Sequence, residues 1–98
     1  MKQIDSEKVV EHKLVELVKI NGGMCIQLLR DQLIGLPDRM CLFPGHKIVF
    51  VELKTTGRKP RRIQAFMHNK LRALGFRVEV IDSIEGVEQF INNIIFEK

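Results

Sequence analysis

Lys47-Ile48-Val49-Phe50-Val51-Glu52-Leu53-Lys54-Thr55 decides the reading of this chain of 98 residues. Ile48 to Val51 are β-branched or aromatic and apolar on both faces, the pattern of a strand covered on two sides. Glu52 and Lys54 break that pattern at its end. Residues two apart on a strand point to the same side, so these two are neighbours. A carboxylate at the margin of a core is costly unless it is paired or binds a metal. The plainest reading of E-x-K alone is a partly exposed ion pair at the strand end.

Working upstream, Asp38 to Phe43 reads as a second strand, joined to the first by the Pro44-Gly45 turn. Gly35-Leu36-Pro37-Asp38 precedes it as a turn signal, and Asp31 to Leu36 as a loop. Thirteen residues separate Asp38 from Glu52. That spacing lets them sit across neighbouring strands of a lopsided hairpin. Two close carboxylates repel unless a cation lies between them, and Mg²⁺ prefers one or two carboxylates with water and phosphate oxygens. Met24 to Leu29 reads as a short strand. Residues 5–20 read as a helix with Val10, Leu14, Leu17 and Val18 on one side, capped by Asp5 or Ser6 and stopped by Asn21-Gly22-Gly23. Glu11 borders the apolar face of that helix, where the ordinary reading is a surface residue.

Downstream, Thr56 to Lys59 is a polar loop and Pro60 suits the first turn of a helix closed by Gly75. Its apolar residues are Ile63, Phe66, Met67, Leu71 and Leu74, with Gln64 at their border, where it faces either a cleft or solvent. Phe76 to Ile81 alternates as a strand. Ser83 caps a last helix striped by Val87, Phe90, Ile91, Ile94 and Ile95, which covers the sheet or packs on a second subunit. The order α-β-β-β-α-β-α, without repeat or linker, describes one domain over residues 1–98, an α+β mixed sheet with helices.

Charge is unevenly placed. Lys54, Arg58, Lys59, Arg61, Arg62, Lys70, Arg72 and Arg77 fall in a stretch with no Asp or Glu. The rest of the chain holds eight basic against twelve acidic residues, so a net +4 conceals a basic block on an acidic remainder. Such a block attracts polyanions, and arginine forks suit phosphate oxygens. Arg61 and Arg62 at a helix start oppose the helix dipole, a conflict that a phosphate would relieve. With no Trp or Tyr and six Phe, a stacking platform for single strands is not expected. His12, His46 and His68 lack ligand spacing and read as surface or boundary residues, although His68, one turn after Gln64, is placed to touch a phosphate. Cys25 and Cys41 form no C-x-x-C pair, which argues against structural zinc, and read as small core residues. No apolar run reaches the roughly 18–20 residues of a membrane span. The start of the chain lacks the apolar region of a secretory signal, so a cytoplasmic location is expected.

Together, Glu11, Gly35-Leu36-Pro37-Asp38, Val51-Glu52-Leu53-Lys54 and Arg61-Arg62-Ile63-Gln64 resemble the PD-(D/E)xK nuclease superfamily, and within it the VRR-NUC (virus-type replication-repair nuclease) family. The resemblance spans residues 7 to 82 and implies a restriction-endonuclease-like αβββαβ core with an extra C-terminal helix. It implies an Mg²⁺- or Mn²⁺-dependent endodeoxyribonuclease acting as a homodimer on branched DNA such as Holliday junctions, in DNA repair, in a bacterial or phage-infected cell. Asp38 and Glu52 would be metal ligands, with the Leu53 carbonyl a third and Glu11 bound directly or through water. Lys54 would orient or activate the attacking water, and Gln64 would position water, a ligand or the DNA backbone. Arg58, Lys59, Arg61, Arg62 and Lys70 would grip DNA without reading bases. The alternatives are a non-catalytic basic DNA-binding module on the same scaffold and a protein-interaction domain using the last helix.

Overall fold

A computed structural model describes residues 3–29 and 33–97. Seven elements follow in the expected order: α1 (Glu7–Ile20), β1 (Met24–Gln27), β2 (Arg39–Phe43), β3 (Lys47–Leu53), α2 (Arg62–Ala73), β4 (Arg77–Ile81) and α3 (Ile84–Ile95). The strands form one sheet in the order β1-β2-β3-β4. The β1–β2 and β2–β3 pairs are antiparallel and β3–β4 is parallel, with α2 supplying the crossover that parallel strands require. This is the mixed-sheet α+β fold anticipated above. The expected loop at Asp31 to Leu36 lies partly outside the described residues.

Alternation along the strands fixes the layers. Cys41 and Phe43 of β2, Val49, Val51 and Leu53 of β3 and Ile81 of β4 enter one core. It is closed by Val10, Leu14 and Val18 of α1 and by Val87, Phe90, Ile91 and Ile94 of α3. The last helix therefore covers the sheet, and only Ile95 of its stripe stands exposed. Ser6 caps α1, accepting from Val9 N at 3.2 Å. Asp5 serves a different helix. Its Oδ2 accepts from Ile84 N at 2.8 Å, at the start of α3, seventy-nine residues away. Thr56 joins the same knot, its hydroxyl donating to the Asp82 carbonyl at 2.7 Å.

Three readings are corrected. β1 ends at Gln27 rather than Leu29, its last ladder partner being Arg39, where β2 begins. Pro60 lies outside α2, which is capped at Arg61. The third concerns the apolar stripe of α2. Ile63, Phe66 and Leu74 are exposed, at 42%, 58% and 74%, and the helix buries Gln64 and His68 instead. The inward side of α2 lies over Glu52, and polar residues there can complete hydrogen bonds that apolar ones cannot.

Candidate active site

The β2–β3 hairpin is symmetric. Its register pairs Arg39 with Val51 and Phe43 with Lys47 across a turn at Pro44-Gly45-His46, where Gly45 and His46 take positive φ of 83° and 65°. Continued by one pair, the register sets Asp38 directly across from Glu52, so no lopsided hairpin is needed. Both residues are buried, Glu52 completely.

Hydrogen bonds hold Asp38 in place. Its carbonyl accepts from Leu28 N at 2.9 Å and its Oδ2 from Leu53 N at 2.8 Å. The loop before it is seated by Gly35, whose φ is 89°. A Cβ there would lie 2.6 Å from the Ile63 carbonyl oxygen and 3.3 Å from Met67 Cβ. Glycine thus lets the Gly35-Leu36-Pro37 turn press against the first turns of α2.

Glu52 faces α2. Its Oε2 accepts from Gln64 Nε2 at 3.0 Å and lies 3.4 Å from Lys54 Nζ, while its Oε1 is 3.6 Å from His68 Nε2. Gln64 links the group, because its Oε1 also accepts from Lys54 Nζ at 2.9 Å and from Arg61 N at 2.8 Å. The last bond caps the start of α2 from within. Glu52 is therefore buried and Lys54 half-buried, and Gln64 bridges the pair expected at the strand end. His68 is buried rather than at the surface, and burial lowers its pKa, with the positive charges of Arg72 and Lys54 acting in the same direction. The sequence places it one turn after Gln64 but at the surface, and so misses its burial against Glu52. Its i,i+4 relation to Gln64 was the available signal.

Glu11 of α1 lies to the side of this network. Its Oε2 receives Arg39 Nε at 3.1 Å and the terminal Arg39 nitrogen at 3.0 Å. It shares a cavity of about 370 Å³ with Glu7, Gln27, Leu28, Leu29 and Asp38. Among the described residues, no three His, Cys, Asp or Glu side chains converge as a ready-made metal cluster. The donor chemistry nevertheless fits a hard divalent cation. Two carboxylates stand on paired positions of adjoining strands beside a peptide carbonyl, and Mg²⁺ requires only one or two carboxylates from the protein.

Arg58, Lys59, Arg61, Arg62 and Lys70 are all exposed, and no acidic residue lies in the first turn of α2. Lys70 Nζ stands 5.3 Å from the centre of the exposed Phe66 ring. Arg72 and Arg77 are engaged within the chain: Arg72 donates to the Val78 carbonyl at 2.9 Å, and Arg77 pairs with Glu97.

A carboxylate before one strand, E-x-K ending its neighbour and a glutamine on the following helix, on an αβββαβ core, define the PD-(D/E)xK class of nuclease folds. No family model matches the chain. It is 39% identical over 83 residues to "Putative nuclease p44" of Acyrthosiphon pisum secondary endosymbiont phage 1, which covers 85% of this chain and 88% of that protein. It also superposes on a solved structure described as a VRR_NUC domain, with a TM-score of 0.82 and 26% identity over 96% of this chain and 100% of the other. The chain belongs to the VRR-NUC family.

Proposed function

We propose that this protein is an Mg²⁺- or Mn²⁺-dependent endodeoxyribonuclease that cuts branched DNA as a homodimer. The observation that carries the reading is Lys54 held between Glu52 and Gln64, beside a strand whose Asp38 stands across from Glu52. Asp38, Glu52 and the Leu53 carbonyl would hold the cation, with Glu11 reaching it through water. When bound, the cation would polarise the phosphoryl group and offset charge on its oxygens. Lys54 then presents an ammonium, prealigned by Gln64, to the attacking water and to the charge that develops on the phosphorane. Gln64 bonds to both members of the Glu52–Lys54 ion pair and so fixes their relative placement. The exposed basic residues from Arg58 to Lys70 neutralise backbone phosphates around the start of α2, so binding weakens steeply with salt.

The part of the α2-side sheet face that α2 leaves exposed supports the dimer. Met24, Leu42 and Ile48 of β1, β2 and β3 fall in one row with Phe76, the residue before β4, when the registers are followed. Met24, Ile48 and Phe76 are exposed, with Phe50 edge-on to Phe76 at 5.6 Å. A second copy seated on this row would bury it, and a two-fold axis would present two sites to two strands. No helix among the described residues is long and apolar enough to cross a membrane, which accords with work on DNA in the cytoplasm of a bacterial or phage-infected cell.

Labelled four-way junction, flap and linear duplex, each incubated with Mg²⁺, Mn²⁺ or EDTA, test the proposal. Metal-dependent cutting that favours branched DNA is expected. Salt-sensitive binding without cutting under any metal would overturn catalysis and leave the non-catalytic DNA-binding module.

A further inference from the structure

The two cysteines lie apart from the network around Glu52 and stand directly opposite each other in the β1–β2 ladder, Cys25 across from Cys41. Their place in the ladder decides what they can do. Leu28 N donates to the Asp38 carbonyl at 2.9 Å, and these two residues face each other when the register is continued. They form a hydrogen-bonded pair. Hydrogen-bonded and non-hydrogen-bonded pairs alternate along an antiparallel ladder. Two steps on, Ile26 and Met40 are hydrogen-bonded, and Cys25 and Cys41 fall at a non-hydrogen-bonded position.

There the Cα atoms approach to about 4.5 Å and the side chains come nearest. That distance lies at the short end of the roughly 4.4–6.8 Å over which two cysteines can be bridged. The Sγ atoms stand 3.6 Å apart, so a bond of about 2.05 Å needs each sulfur to move less than 1 Å or so. Cys25 is half-buried on the edge strand and reachable, whereas Cys41 is buried in the core. The hydrogen bond between them lowers the Cys25 pKa, burial opposes this, and nearby Arg39 lowers it further.

We propose that Cys25 and Cys41 form a dithiol modification site for small-molecule disulfides, closing to a reversible cross-strand disulfide. Cys25 Sγ attacks one sulfur of the oxidant, breaking its S–S bond, and the departing thiolate takes up the Cys25 proton. Cys41 Sγ then attacks Cys25 Sγ, its proton passing to the second departing thiolate. Two protein thiols are oxidised by two electrons and the disulfide is reduced to two thiols. Because Cys25 is half-exposed on the edge strand, an added thiol reaches the bridge and reduces it again. It would bind edge strand β1 covalently to β2, three residues from Asp38.

Treatment of the folded full chain with oxidised glutathione, followed by intact-mass measurement and peptide mapping, tests this. The expected product is a monomer lighter by two hydrogen atoms, with the Cys25 and Cys41 peptides linked, and restored by dithiothreitol. Cys41→Ser and Cys41→Ala should both stop with one glutathione on Cys25, and Cys25→Ser should stay unmodified. A wild-type chain that remains reduced, keeps one glutathione, or links to a second chain would overturn the proposal. None of these readouts depends on DNA cleavage.

Discussion

Replacing Gln64 by leucine strikes the residue that joins strand to helix. Gln64 is 2% exposed and makes three bonds, to Glu52 at 3.0 Å, Lys54 at 2.9 Å and Arg61 N at 2.8 Å. Hydrogen bonds to charged groups contribute about 1.5–3 kcal/mol each, and a lost helix cap costs about 1 kcal/mol. Glu52 has no solvent exposure, so water cannot easily replace its lost donor, whereas Lys54, at 14% side-chain exposure, can recover part of its solvation. Leucine returns about 1.5–3 kcal/mol through apolar burial. The net destabilisation should be about 2–4 kcal/mol, which at about 4–8 °C per kcal/mol lowers Tm by about 8–32 °C. Thermal unfolding followed by circular dichroism reads this directly, and urea unfolding gives the free energy. A Tm within about 5 °C of wild type would refute the idea that this amide holds the site together.

Two further changes probe the surroundings. Gly35→Ala forces a Cβ to within 2.6 Å of the Ile63 carbonyl at a φ of 89°, so a loss of about 1–3 kcal/mol is expected. An unchanged urea midpoint would mean the turn does not press on α2. His68 gives a pH dependence with a defined sign. Its folded pKa lies below the ordinary value of 6.5, so between the two values the unfolded chain binds the extra proton. Stability should therefore fall as pH drops below 6.5, and the added loss should level off beneath the folded pKa. His68→Gln should flatten that part of the stability–pH curve, and an unaltered slope would assign it to other groups.

The order of elements was legible because each carries its own local signal: the β-branched run of β3, the Ser83 cap of α3 and the turn at Pro44-Gly45. Asp38 and Glu52 could be placed together because hairpin pairing is nearly local. What escaped depends on distant partners. The period of α2 correctly grouped Ile63, Phe66 and Leu74, yet a period does not say which side faces inward, and the inward side was chosen by Glu52 on β3 and Lys54 just beyond it. Asp5 reads as a cap for the helix beside it, but its carboxylate serves α3 at the other end of the chain. The facing of Cys25 and Cys41 becomes visible only once the β1–β2 register is fixed.

The proposed catalysis stands or falls with Glu52, which has Asp38 across from it and Lys54 beside it. The decisive experiment is single-turnover cleavage of an end-labelled four-way junction in Mg²⁺, run in parallel for wild type and Glu52→Gln, with DNA affinity measured on the same samples. The variant should bind the junction as wild type does and leave it uncut. Undiminished cutting by Glu52→Gln would show that this carboxylate takes no part in the chemistry.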